Sequence, residues 1–138
     1  MVVKFNRKPI QIPYQKMIRY KIFQFITICK IFKSLKLIKL QIIFYILDNN
    51  LDIGVLEENL KNEEFLITTF NPDILKTIDY CFGFHFILFS LNNFKLTKEG
   101  DEFYKEILEE KIFVEEIKKI KLLYKKNTYL NQYIKRLK

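Results

Sequence analysis

Residues 71–100, Asn71-Pro72-Asp73-Ile74-Leu75-Lys76-Thr77-Ile78-Asp79-Tyr80-Cys81-Phe82-Gly83-Phe84-His85-Phe86-Ile87-Leu88-Phe89-Ser90-Leu91-Asn92-Asn93-Phe94-Lys95-Leu96-Thr97-Lys98-Glu99-Gly100, contain the stretch that decides the fold. Asn71 at the cap, Pro72 at the first helical position and Asp73 in the first turn start a helix. Ile74, Leu75, Ile78 and Cys81 give that helix an inner face, and Gly83 is placed to end it in a left-handed conformation. Phe84 to Leu91 is a nearly unbroken apolar run and predicts a buried strand. Asn92-Asn93 predicts a two-residue hairpin turn, and Phe94-Lys95-Leu96 the returning strand. Thr97 caps the next helix, which carries Phe103, Ile107 and Leu108 inward, while Gly100 lets that helix pack tightly on the hairpin.

Upstream, residues 1–13 hold two of the three prolines and read as an extended lead-in. Tyr14 to Lys33 has helical spacing, with Ile18, Ile22, Phe25, Cys29 and Phe32 in one stripe. Lys16, Arg19, Thr27 and Lys30 gather opposite, with Phe23 and Ile26 near them. Ser34 is positioned to cap a helix over Leu35 to Leu47, followed by an Asp48-Asn49-Asn50 turn. A short helix around Val55 to Lys61 and a strand over Phe65 to Phe70 precede Asn71. Downstream, Lys111 to Lys138 is helical, with a break near Asn127-Thr128. Ile117, Ile120, Tyr124, Ile134 and Leu137 are its candidate core positions. The expected fold is mainly α with a small β-hairpin wing: a winged helix-turn-helix core with additional N- and C-terminal helices. It forms a single domain over residues 14–138, the C-terminal helices being an extension. A chain of 138 residues has room for one core.

The net charge of +8 conceals three blocks. Residues 1–47 carry ten basic side chains and no acidic one; residues 48–116 carry six basic and sixteen acidic; residues 117–138 carry eight basic and none acidic. In one reading the ends fold against the middle and the charges offset one another. In the other the two positive ends form a face for a polyanion or an acidic partner, using Lys16, Arg19, Lys30, Lys125, Lys126 and Arg136. Arg7, Arg19 and Arg136 are the only arginines. Base reading favours the bidentate guanidinium fork, so nucleic-acid contact would be mostly to phosphate. The chain has no Ala and no Trp but abundant Lys, Ile, Leu and Asn, as an AT-rich genome writes. Codon supply therefore contributes to the lysine excess.

Reactive groups are sparse. His85 is the only histidine and sits between two phenylalanines, which predicts a core or strand position. Cys29 and Cys81 have apolar neighbours and read as buried thiols, suited to a reducing cytoplasm. With one His and two Cys no zinc set can be assembled, and Ser34 and Ser90 are the only serines for a nucleophile. No phosphate-binding loop can be built from Gly54, Gly83 and Gly100. Acid pairs such as Glu109-Glu110 and Glu115-Glu116 are adjacent and diverge on a helix. The expectation is a protein without catalytic activity, metal or cofactor. Lys21, Lys30, Lys36 and Lys39 interrupt the apolar runs, which fall short of the ~20 residues of a membrane span.

Taken together, the Ser34–Leu47 segment, the Asn-Pro-Asp helix start, the Leu96-Thr97-Lys98-Glu99-Gly100 wing exit and Phe113-Val114-Glu115-Glu116-Ile117-Lys118-Lys119-Ile120 resemble the middle components of bacterial three-component ABC-ATPase defence systems, the Lamassu type among them. The resemblance covers most of residues 15–138. It implies a small winged-helix subunit of an anti-phage complex, accompanying an SMC-like ATPase and a separate effector, often a nuclease. The sequence departs from that pattern where the second helix ends: Phe44-Tyr45-Ile46-Leu47 and acidic Asp48 replace Trp-Ala-Leu-Arg. The alternative is a stand-alone winged-helix transcriptional regulator. Against it, the would-be recognition helix offers Asp73, Lys76, Thr77 and Asp79, two acids and one base, to a phosphate backbone. A membrane-surface role through the first helix is weaker still, because that helix lacks a wide polar face. The surplus of apolar residues, notably Phe23, Ile26 and Phe86, is expected to meet a partner protein.

Overall fold

The computed structural model describes residues 18–58 and 72–136. The expected lead-in over residues 1–13, Lys16, the end of the short helix, the strand over 65–70, Asn71 and Leu137 lie outside the described residues. The chain is mainly helical with one small antiparallel sheet. The elements are α1 (Ile18–Phe32), α2 (Leu37–Asp48), a 3-10 turn (Ile53–Val55), α3 (Pro72–Gly83), β1 (Ile87–Ser90), β2 (Asn93–Leu96), α4 (Lys98–Ile107), a second 3-10 turn (Lys111–Phe113), α5 (Val114–Lys125) and α6 (Asn127–Arg136).

α1 is the axis of the core. It packs against α3, α4, α5 and β2, so apolar side chains are buried around most of its circumference. Phe25, Ile26 and Ile28 are fully enclosed, and Phe23 is 3% exposed. The expectation that Phe23 and Ile26 meet a partner protein is therefore corrected. Phe23 meets Phe103 and Phe113 edge-on, with ring centroids 5.7 and 5.5 Å away, and the chain's own helices take up the surplus. α1 also buries a polar row at i, i+3, i+6: Lys21, Gln24 and Thr27. The Lys21 ammonium pairs with Asp48 at the end of α2, and the Gln24 amide donates to Glu116 on α5. The placement of Thr27 on a charged outer side is likewise overturned, since it is completely buried.

Ser34 does not cap α2. The helix starts at Leu37 after Lys36 in an extended conformation, with no side-chain cap. Lys33, at φ 68°, turns the chain out of α1. Leu35 is instead drawn into the sheet: its N–H donates to the Phe94 carbonyl at 3.3 Å and its carbonyl accepts from the Phe94 N–H at 2.7 Å. This bridge places Leu35 on the free edge of β2 and leaves it wholly buried. The backbone partner outweighs the weak local capping preference of a serine.

The region between α3 and β1 also differs from expectation. Gly83 does not adopt a left-handed conformation; His85 does, at φ 62°. The Phe86 N–H bonds the Cys81 carbonyl at 2.9 Å and the His85 N–H bonds the Phe82 carbonyl at 3.0 Å, a Schellman closure with His85 at C′. The histidine is thus an exposed helix cap rather than a core or strand residue. The expected strand shortens to four residues, of which only Ile87 is buried. A two-stranded ribbon rests one face on the core and turns the other to water. Its register pairs Ile87 with Leu96 and Ser90 with Asn93, so the turn residues are Leu91 and Asn92, one position earlier than the Asn92-Asn93 reading.

Thr97 caps α4 as expected: its hydroxyl accepts from the Gly100 N–H at 3.0 Å. On the inner faces, Thr77 replaces Leu75 in α3, Tyr104 replaces Leu108 in α4, and Leu123 replaces Tyr124 in α5. Lys126 separates α5 from α6, at the expected break.

Candidate docking groove and basic face

Two surfaces of opposite chemistry lie towards opposite ends of α1. Ile18 to Phe32 spans about 20 Å at the helical rise. At the N-terminal end, Ile18, Ile22, Phe84, Phe86 and Phe103 line a groove of about 670 Å³. Its construction follows from the Schellman closure, which stops α3 and projects Phe84 beside Phe86. These two rings stack at 5.4 Å, and Phe86 stacks on Phe103 at 4.5 Å. The ladder continues inward through Phe23 to Phe113 and Tyr20. It is rooted in the core, yet Phe84 at its outer end is 56% exposed and Tyr80 beside it 50%. Phe86, expected at a protein interface, does line this groove, half-buried; Phe84 and Tyr80 were missed because their exposure depends on the short cap. Glu106, Glu109 and Glu110 form the rim on the α4 side.

Arg19 lies at this same rim, bonded to Glu110 at 2.8 Å with its guanidinium over the Phe23 ring. Lys30, further along α1, pairs with Asp101 at the start of α4. The hydrogen bond from Lys30 holds the Asp101 carboxyl below the ordinary range. Two of the six expected polyanion contacts are therefore engaged within the chain. Together with Lys21–Asp48 they join the basic N-terminal block to the acidic middle, as the offsetting reading requires.

The C-terminal end of α1 gathers the other basic groups. Phe32 meets Tyr124 of α5 edge-on at 5.1 Å, and the Lys39 ammonium lies 5.3 Å from the Phe32 ring centre. Lys39 also donates to Asn131 of α6 at 2.9 Å, and partial burial lowers its pKa. These contacts bring α2, α5 and α6 together. Lys125 is exposed beside Tyr124, while Lys126 and Arg136 lie over the rings of Tyr129 and Tyr133. Lys39, from the first positive block, thus reaches the helices of the last one. Lys36, just before α2, and Lys121, on α5, are exposed on the same elements, and the sequence had not singled either out as a contact.

Cys29 and Cys81 are both buried, and burial pushes the Cys81 thiol up to about 12 and that of Cys29 well above its usual value. Among the described residues no group of three or more His, Cys, Asp or Glu is placed to hold a metal ion. No helix of the described residues is long and apolar enough to cross a membrane. No family model matches the chain, and neither a curated protein nor a solved structure matches it.

Proposed function

We propose that this chain is a non-catalytic accessory subunit of a bacterial SMC-like ABC-ATPase anti-phage complex, working in the cytoplasm and bridging the ATPase to an effector or to DNA. The observation that carries the reading is the aromatic groove. Phe84 and Tyr80 expose large apolar area on a ladder fixed in the core, which suits a preformed protein-docking surface. The basic face towards the far end of α1 gives the chain a second surface, as a bridge needs. The core is read as a winged helix: α1, the Leu35 edge position, α2 and α3 are followed by the β1–β2 wing, and Leu35 pairs with the wing's second strand. A DNA-reading regulator is disfavoured by α3, where exposed Asp73 and Asp79 flank Lys76 and Thr77 is buried, its hydroxyl bonded to the Asp73 carbonyl.

The test is co-expression with an SMC-like ATPase encoded beside this chain's gene. Retention should survive high salt, because apolar burial is not screened, and should be lost on Tyr80→Asp with Phe84→Asp. A chain that is a well-behaved monomer at high concentration and retains no such ATPase overturns the proposal.

A further inference from the structure

We infer that the carboxylate-free end of the molecule, where α2, α5 and α6 meet beyond Phe32, docks the phosphate backbone of duplex DNA. The inference names the second ligand of the adaptor reading, and its test uses the isolated chain, so that either can fail without the other.

Residues 33–47 and 117–136 contain no Asp or Glu. Their cations are held together by contacts already described, with Lys39 at the centre. Lys36 is the extended residue that leads into α2, three positions before Lys39; Lys121 lies one turn before Tyr124 on α5, and Lys135 one turn after Asn131 on α6. Lys36, Lys121 and Lys135 are all exposed, and none is ion-paired with a described residue. At the other end of α5, Lys118 and Lys119 face Glu115 and Glu116 at 3.5 and 3.9 Å, and the exposed Lys98, Lys105 and Lys111 lie in the acid-rich middle of the sequence, next to Glu99, Glu106 and Glu110 in the chain. The segments of this end supply no carboxylate of their own to offset these lysines. Like charges left together raise the local potential and favour a polyanion that releases counterions on binding.

The residue types select among polyanions. Ammonium groups are point charges suited to phosphate, and Arg136, the one arginine of these segments, has its guanidinium over the Tyr133 ring. Single-strand binding uses successive exposed rings as stacking platforms. In these segments Tyr124 is the only exposed aromatic residue among the described ones, and Phe32 packs against it. An anionic membrane would need a broad apolar face beside the lysines. Here Leu37 and Leu122 are the exposed aliphatic residues, on different helices. A regular array of phosphates fits best.

The experiment is fluorescence anisotropy of the full chain on a mixed-sequence duplex across a salt series. The variant Lys36→Ala/Lys121→Ala/Lys135→Ala is compared with Lys98→Ala/Lys105→Ala/Lys111→Ala, three exposed lysines from the acidic middle. Circular dichroism checks that both fold, and Lys→Arg replacements at the first three positions preserve the charge. The first variant should bind at least tenfold more weakly, with a log–log salt slope about 2–3 units shallower at ~0.9 per phosphate contact. The control and the arginine variant should bind as the native chain does, with little preference for sequence. Equal loss in both alanine variants, no binding to the duplex, or tighter binding to phosphatidylserine vesicles or single strands than to the duplex overturns the inference.

Discussion

A Cβ added to Gly100 would lie 2.1 Å from the carbonyl oxygen of Phe86. That separation locks α4 to the hairpin, because the same carbonyl accepts from the Thr97 N–H at 3.0 Å and cannot retreat without breaking the bond. Gly100→Ala should therefore destabilise the fold by about 2–3 kcal/mol, the range of a small-to-large change against rigid backbone. Chemical denaturation reads the effect. A midpoint unchanged from the native chain would mean that the hairpin is free to shift.

Leu91 occupies the tip of the hairpin at φ 54°, with Asn92 at 63°. Two consecutive positive φ angles are the requirement of a type I′ turn, which favours Asn and Gly. A leucine there is strained by roughly 1–2 kcal/mol, and at 85% exposure it recovers little by burial. Leu91→Asn should raise stability by about 0.5–1 kcal/mol and move the thermal midpoint up by a few degrees. A lower midpoint would show that the exposed side chain makes a stabilising contact.

Both thiols should be silent towards Ellman's reagent in the native protein at pH 8 and react fully in denaturant. Only thiolates attack, and burial holds both groups protonated in the fold. The linkage has a definite sign. A folded pKa raised above the unfolded value gives a contribution fully present below the unfolded pKa and lost as pH climbs through the folded one. For Cys81 this loss runs from about 9 towards about 12. Cys81→Ser should abolish its share of that alkaline loss; an identical pH profile in the variant would refute the assignment.

The hairpin, the Thr97 cap and the close approach of Gly100 were legible because each depends on a few neighbouring residues with specific backbone chemistry. The α5–α6 break was legible for the same reason. The Leu35 edge position was not, since its partner Phe94 is 59 residues away and the local signal favoured a Ser34 cap. Phe23 and Ile26 were assigned to a partner protein because a chain of this size was not expected to bury so much apolar surface, whereas α1 is enclosed by several of its own elements. Phe84 was misread as buried because its apolar run looks like a strand, while the Schellman closure at His85 assigns it to a helix end. Of the candidate sites, the sequence showed that both ends were basic. Which of the N-terminal cations are paired was decided by folding, through Glu110 for Arg19, Asp48 for Lys21 and Asp101 for Lys30.

Lys21 and Asp48 form the most enclosed of these pairs, with side chains 5% and 23% exposed. The two members should respond unequally to removal. Asp48→Asn leaves a buried ammonium close to the Phe44 ring without its counter-charge. Breaking a buried pair from one side costs about 3–5 kcal/mol, and the partial exposure of Asp48 brings the expected loss towards 2–3. Lys21→Met keeps the aliphatic stem and removes the charge that needed a partner, leaving a carboxylate with access to solvent. Its cost should stay below about 1.5 kcal/mol. The double variant should be no worse than Asp48→Asn alone, since no buried ammonium is left unpaired. Urea titrations of the three variants give this double-mutant cycle. Equal losses for both single variants would mean that the packing of the lysine stem, and not the burial of its charge, sets the energetics at the junction of α1 and α2.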